Sequence, residues 1–522
     1  MNSSNKSISR GLFWKLLERF GVQGIQFVLQ IILARILDPE HYGMLSIMII
    51  FTTLANVFVH SGLNTALIQN KDVTEEDYSS VFWLSLGIAS VLYAVIFFTA
   101  PLIASFYEMP IITQPLRVLA LMLFPGALNS VQLAKISREM NFKKVFLSNI
   151  VAIVVAGITG VAIALMGGGL WALVAQSLTN VIIACIVMKF TSKLKLRFRF
   201  NVSRLKVLFG FGWKLLVSSL IDTLYQDIRS LVIGKKYNSA TLGYYNKGKQ
   251  FPQFIINGIN GAVQSVMLPA ISSKQDNKEN VKELMRRSMT LSSYIVFPIM
   301  AGLAAVATPM VSLLLTDKWL PCVPYLQIYC FSLAFYPVHS CNLQAINAMG
   351  RSDLFLRLEI IKKSYGILTL LIAVFFFNSP IAIAMTGAVT TFLSCFVNAS
   401  PNKKLIGYSY GEQARDILPA FLLSLTMMVV VLASGQAFTW IVGLPVVSGT
   451  INTVFTSMLN IVPFIGKMLP LATAIKYCEL LAQLLMQVSL GIIIYVAFSF
   501  VFRLKAFKML LSMGKSILKS RS

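Results

Sequence analysis

The sequence predicts an all-α integral membrane protein. It would consist of two parallel-repeat six-helix lobes plus about two C-terminal transmembrane helices. Three observations lead there. Only 12% of the 522 residues are charged, while 56% are hydrophobic. Apolar runs of about 20 residues, the length that crosses a bilayer, recur along almost the whole chain. A short phrase is also written twice, as GLFWKLL at residues 11–17 and GFGWKLL at 210–216, each time opening a long apolar run.

Soluble domains carry about 25% charged residues. A chain with half that supply cannot cover a globular surface, so its solvent is lipid. Helices are expected because the ten-residue alternating segments of transmembrane barrels are absent. The net charge of +25 raises the question of a nucleic-acid partner. None is expected, because the Lys and Arg residues sit in short loops between apolar runs, where membrane orientation places them. The cysteines (Cys185, Cys322, Cys330, Cys341, Cys395, Cys478) are scattered through apolar stretches and read as buried thiols. No metal centre and no cofactor are expected. The polar start MNSSNKSISR runs into an apolar stretch too long for a signal core, so no cleavable leader is read.

The candidate spans are 12–36, 41–67, 80–107, 115–137, 145–167, 170–190, 210–234, 250–270, 288–315, 322–347, 356–377, 380–398, 415–434 and 478–502. With these fourteen, 35 of the 45 Lys and Arg fall on the side that holds the N-terminus. That bias places both termini in the cytoplasm. One loop dissents, since NKDVTEED at 70–77 is acidic. Acids weigh little in this rule, so the orientation stands. The stretch 436–477 is apolar but interrupted by Gly443, Pro445, Gly449, Pro463, Gly466 and Pro470. The basic tail after it demands an even number of crossings. A re-entrant or interfacial hairpin on the outside satisfies this, with two short spans as the alternative.

The doubled phrase sits at Trp14 and Trp213 and encloses six spans. Six is even, so both copies enter the membrane in the same direction, and the repeat is parallel. Its first helices would line a cavity between two lobes. After each copy comes a loop, ILDPEHYGM and then YNSATLGYYNKG, that ends in Gly near Tyr. The expected organisation is an N-terminal lobe at 1–190, a basic cytoplasmic linker at 191–209, a second lobe at 210–398, and additional helices with the apolar insert at 399–522.

Two long stretches carry a family likeness. They are ARILDPEHYGMLSIMIIFTTLANVFVHSGLNTALIQNKDVTEEDYSSVFWLSL at 34–86 and LGYYNKGKQFPQFIINGINGAVQSVMLPAISSKQDN at 242–277. Both resemble the bacterial polysaccharide exporters of the colanic-acid and teichuronic-acid type. That branch belongs to the multidrug/oligosaccharidyl-lipid/polysaccharide flippase superfamily. The resemblance covers roughly residues 10–434 and the last span, and it leaves out 436–477. It implies two six-helix lobes with two extra helices. It implies a substrate of oligosaccharide on undecaprenyl diphosphate, moved to the outer leaflet of a bacterial plasma membrane for surface polysaccharide or lipopolysaccharide biosynthesis. Glycosyltransferases and a polysaccharide polymerase are partners by the same analogy. A monomer among membrane lipids is expected.

Charge inside a bilayer costs at least about 2.5–3.5 kcal/mol, so each such residue needs a partner, water or a task. On the first span lie Lys15 and Arg19, then Gln23, Gln26 and Gln30 at helical spacing. On the seventh lie Lys214, Asp222, Gln226, Asp227 and Arg229. Lys15, Arg19, Lys214 and Arg229 would form a cationic lining for the diphosphate. Gln23, Gln26, Gln30, Gln226, His60 and Asn64 would bond sugar hydroxyls. Asp222 or Asp227 would take a proton or Na⁺ and couple the cycle to an ion gradient. The competing assignments are interfacial anchors for Lys15, Arg19 and Lys214, and an internal bridge for Arg229 with Asp222 or Asp227. His339, Asn342, Gln344 and Asn347 on the tenth span, and Arg117 on the fourth, are read as helix–helix bonds. The glycines at 167–169 form a tight turn and not a nucleotide loop. Short outer loops argue against an enzyme. The rival transporter is an ion-coupled multidrug antiporter of the same superfamily, which would favour an acid-dominated cavity.

Overall fold

The structure, a computed structural model, describes residues 21–60, 62–70, 72–192, 194, 196–198, 200–272, 277–445, 447, 449–450, 453 and 471–519. Helix dominates, and no strand occurs among the described residues. The chain forms two compact units, Met1–Asn246 and Lys247–Ser522. Among the described residues nine helices are long and apolar enough to cross a membrane, or ten when the bent helix at 202–236 counts as one span. The protein is thus a multi-pass, all-α membrane protein. Fourteen spans were expected, and the difference has local causes. The stretch 322–347, for example, is broken at Phe335 into Val323–Ala334 and Tyr336–Ala348, just before Pro337. Proline supplies no amide and crowds the preceding turn, so a helix rarely runs through it.

In the N-terminal unit the elements are α1 (Gln23–Ile36), α2 (Pro39–His60), α3 (Leu63–Gln69), α4 (Glu75–Phe106), α5 (Thr113–Leu119), α6 (Leu123–Arg138), α7 (Phe142–Leu165), α8 (Leu170–Ser192) and α9 (Val202–Lys236). The opening turns of α10 (Ser239–Ser272) complete it. The acidic loop that dissented from the charge bias has a local explanation. Thr74 caps α4 by accepting from the Asp77 amide, and the Asp77 carboxylate accepts from the Thr74 amide at 2.8 Å. Glu75, Glu76 and Asp77 therefore lie in the first turn, where the helix dipole favours negative charge.

The basic stretch after α8 is pinned to the same helix start. The Arg197 amide donates to Ser79 and the Asn201 amide to Ser80, while Trp83 Nε1 donates to the Arg197 carbonyl. Arg204 Nε stands 3.2 Å from Asp77. The N-terminal unit thus takes in α9, the helix that carries the second copy of the phrase.

The two repeat loops meet each other directly. A Cβ on Gly43 would stand 1.8 Å from the Ser239 carbonyl oxygen, and one on Gly243 would stand 2.1 Å from the Pro39 carbonyl oxygen. Pro39–Gly43 and Ser239–Gly243 hold similar places in the two loops, one residue out of step with the WKLL spacing, and each glycine admits the other loop's backbone. A side chain at either position would clash with backbone, which is why both are glycine.

In the C-terminal unit, after the rest of α10, come α11 (Lys278–Ala305), α12 (Ala307–Leu315), α13 (Val323–Ala334), α14 (Tyr336–Ala348), α15 (Ser352–Phe376), α16 (Pro380–Ala399), α17 (Asn402–Ile406), α18 (Tyr410–Val442), α19 (Leu471–Val501) and α20 (Lys505–Lys519). Ser409 and Glu412 cap α18 with the same reciprocal box seen at α4. α18 and α19 run antiparallel, because Gln487 donates to the Val431 carbonyl and Gln483 to the Gly435 carbonyl. The chain between them therefore leaves and returns at one end of the pair, as an even number of crossings requires. Both ends of the 436–477 stretch continue these helices, and residues 454–470 lie outside the described residues.

Candidate functional site

The second WKLL follows a bend. α9 turns by 51° between its segments Val202–Gly210 and Gly212–Lys236, and the two glycines of GFGWKLL are where it yields. The bend is held by close packing. Gly62, in the left-handed region at φ +65°, separates α2 from α3, and a Cβ there would stand 2.3 Å from the Gly212 carbonyl oxygen. Any larger residue at 62 would meet both a backbone clash and an unfavourable φ.

Beyond the bend, the unit leaves one face of α9 uncovered. Lys214, Ser218, Asp222 and Gln226 are all exposed and recur at four-residue intervals. Side chains four apart stack along one side of a helix, so these make a continuous stripe of amine, hydroxyl, carboxylate and amide. Trp213 stands half-exposed at its mouth. The other expected residues of this helix turn away from the stripe. Asp227 is half-buried, and Arg229 is buried with its guanidinium 5.7 Å from the centre of the Tyr225 ring. Both salt-bridge partners at the far end of α9 are exposed, since Lys235 bonds Glu108 at 2.9 Å and holds that carboxyl below its usual pKa.

On α1, Gln26 is exposed and Gln23 half-buried, while Gln30 is half-buried with its Oε1 enclosed. Lys15, Arg19 and the first WKLL lie outside the described residues. His60 ends α2 and Asn64 opens α3, and each keeps a buried side-chain atom without a hydrogen-bond partner among the described residues. They are not alone. Asn56 Oδ1, Asn129 Oδ1 and both polar atoms of Gln132 share that condition. α2 and α3 pack on α6, and Gly126 of α6 makes room for Asn56, whose Oδ1 lies 3.0 Å from where a Cβ would stand.

Asn56, His60 and Asn64 fall at i, i+4 and i+8, while Asn129 and Gln132 are one turn apart. Burying such a group unpaired costs about 1–3 kcal/mol, so native proteins rarely keep several without water or a ligand. The sequence reading missed Asn56, Asn129 and Gln132. The four-residue spacing back from His60 was the available signal.

The histidine of the C-terminal unit sits in a different setting. His339 bonds Asn398 at 2.6 Å. Asn342, fully enclosed, donates to Gln413 at 2.9 Å and accepts from Asn402 at 2.6 Å. These bonds join α14, α16, α17 and α18, which is the helix–helix role expected for His339 and Asn342. Five of the cysteines are buried, and no cluster of metal-ligating side chains occurs among the described residues.

Fold and surface together define a helical, multi-span membrane protein that carries ionic and amide groups on helix faces its own packing leaves open. The chain belongs to the polysaccharide biosynthesis protein family, whose profile matches residues 32–324. It is 24% identical to the succinoglycan biosynthesis transport protein ExoT of Rhizobium meliloti (strain 1021), over 79% of this chain and 82% of that protein. It is 22% identical to the lipopolysaccharide biosynthesis protein WzxC of Escherichia coli (strain K12), over 83% and 89%. It is 24% identical to the teichuronic acid biosynthesis protein TuaB of Bacillus subtilis (strain 168), over 68% and 74%. Among solved structures, the lipid II flippase MurJ in an inward closed conformation superposes with a TM-score of 0.70 at 15% identity, covering 94% of this chain and 98% of MurJ. An inward-facing multidrug resistance transporter of the MATE family gives 0.56 at 15% identity, over 76% and 99%. These likenesses show the fold.

Proposed function

We propose that this protein translocates lipid-linked oligosaccharide repeat units, carried on undecaprenyl diphosphate, across a bacterial plasma membrane for surface polysaccharide biosynthesis. The observation that carries this reading is the exposed stripe Lys214–Ser218–Asp222–Gln226 on a helix within a family of polysaccharide biosynthesis proteins. A diphosphate needs cations along its path, and sugar hydroxyls need amides and carboxylates. The stripe offers both in sequence. Lys15 and Arg19 would supply the equivalent cations at the first copy of the repeat. Asn56, His60, Asn64 and Gln132 would bond sugars or the waters that precede them. Asp222 or Asp227 would bind the coupling ion, Na⁺ or H⁺.

The cycle would be alternating access between lobes at 1–190 and 210–398, with both termini cytoplasmic and no covalent chemistry in this chain. Glycosyltransferases and a polymerase would act before and after it. The fold alone is equally compatible with an ion-coupled multidrug antiporter, and the cation at the mouth of the stripe is what favours an anionic substrate.

The test is translocation of a lipid-linked oligosaccharide in vesicles by the intact protein and by Arg19→Ala, Lys214→Ala and Asp222→Ala. Loss of translocation in variants that insert and fold normally supports the pathway. Normal translocation by all three removes it.

A further inference from the structure

α20 and its surroundings take no part in the proposed pathway, yet they build a distinct cavity. It holds about 1080 Å³ and lies entirely within the C-terminal unit, between the starts of α11 and α18, the end of α19 and the start of α20. Six cations line it, Arg286, Arg287, Arg415, Arg503, Lys505 and Lys508, against two carboxylates, Glu283 and Asp416. Both carboxylates are already engaged. Arg286 grips Asp416 through two nitrogens at 2.7 Å each, and Arg287 bonds Glu283 at 2.6 Å. Arg415, Arg503, Lys505 and Lys508 make no ion pair among the described residues. The cavity therefore carries an uncompensated positive charge. Its other wall is apolar, formed by Leu291, Tyr294, Pro419, Phe502 and Met509.

The turn that closes this cavity is specific. Arg503 sits in the left-handed region at φ +49°, where glycine is the favoured residue. Its amide donates to the Phe500 carbonyl and the Leu504 amide donates to that of Ser499, the pattern that ends a helix and sends the chain off sharply. A cationic residue thus holds a position that backbone geometry would give to glycine. After it, the sequence KAFKMLLS places Lys505 and Lys508 on one arc of α20, with Ala506 and Leu510 on the other side. A basic amphipathic helix of this kind lies in the plane of a membrane surface.

We propose that this cavity is a binding site for the phosphate headgroup of an anionic membrane phospholipid. The cations at Arg415, Arg503 and Lys508 hold the phosphate, and the apolar wall takes the first carbons of an acyl chain. A charged rim beside an apolar wall matches a molecule with those two parts and not a small soluble anion, which would leave the wall wet. The inference rests on reading α11, α18 and α19 as membrane spans. It does not depend on the flipping activity, so loss of one leaves the other standing.

The test is calorimetric titration of the full-length protein in neutral detergent with dioctanoyl phosphatidylglycerol, dioctanoyl phosphatidylcholine and inorganic phosphate. The expected result is saturable binding of the glycerol lipid, at least tenfold tighter than the zwitterionic choline lipid, with inorganic phosphate too weak to saturate. Combining Arg415→Ala, Arg503→Gly and Lys508→Ala should weaken the glycerol lipid at least tenfold. Arg503→Gly alone removes a charge while suiting the backbone, so it separates binding from folding, and a loss of about threefold is expected. Unchanged affinity in either variant overturns the site, and so does equal binding of the choline lipid. Phosphate binding as tight as the lipid's would make this a site for a soluble anion.

Discussion

His60 and His339 are the same residue in two units of one membrane protein, and their surroundings differ. Around His339 the amides of Asn342, Asn398, Asn402 and Gln413 pass hydrogen bonds from helix to helix. Around His60, Asn56 Oδ1, Asn64 Oδ1 and both polar atoms of Gln132 are enclosed without a hydrogen-bond partner among the described residues. Asn398 and Asn402 also keep an unbonded oxygen each, but their amide nitrogens are committed. In an apolar medium side-chain bonds that run from helix to helix fasten the helices together, while enclosed groups without such bonds offer capacity that water or a ligand would fill. The comparison shows helix-to-helix bonding in the first set and open bonding capacity in the second.

The largest expected effect tests the fastened set. Asn342→Ala removes the donor to the buried Gln413 Oε1 and one acceptor of Asn402, and should cost about 2–3 kcal/mol, read as a lower midpoint in thermal unfolding of the detergent-solubilised protein. An unaltered midpoint would break the comparison from the structural side. The next effect is kinetic. His60→Ala removes a group with an unmet atom, so stability should stay within about 0.5 kcal/mol, while translocation should fall roughly tenfold, equivalent to about 1.4 kcal/mol in a barrier. A variant that unfolds as readily as Asn342→Ala, yet translocates normally until it does, would erase the distinction.

The smallest effect concerns pH. Asp317 of the C-terminal unit bonds Ser312 and Lys476, and these hold its carboxyl below the usual value of 3.8. A depressed carboxyl contributes stability that is complete above its unfolded pKa and lost as pH falls through the lower folded one. Thermal stability should therefore drop on acidification below about pH 4, and Asp317→Asn should flatten that drop. Glu108 of the N-terminal unit is depressed in the same direction by Lys235 but is fully exposed. Glu108→Gln should flatten the profile less, because solvent screens an exposed pair.

Much of the architecture was legible in the chain. The low charge, the apolar runs and the basic loops followed from composition, and the acidic loop at 70–77 was an N-cap written in residues. The sequence set the loops ILDPEHYGM and YNSATLGYYNKG side by side as similar, and their glycines Gly43 and Gly243 each lie against the other loop's backbone. The site was less legible. Four-residue spacing placed Asp222 and Gln226 on one face, which the structure keeps open, but the same spacing says nothing about Arg229, which is buried against Tyr225. Asn56, Asn129 and Gln132 read as ordinary polar residues until their neighbours were known.

The sequence by itself determined that this protein is helical and membrane-spanning. Those properties depend on hydropathy and period, which sum locally along the chain. Tertiary structure alone decided which polar groups are satisfied, where α9 bends against Gly62, and which cations gather around α20. Each of these depends on residues brought together from distant positions. Whether a side chain is open, paired or stranded is a property of its neighbours and not of its own helix.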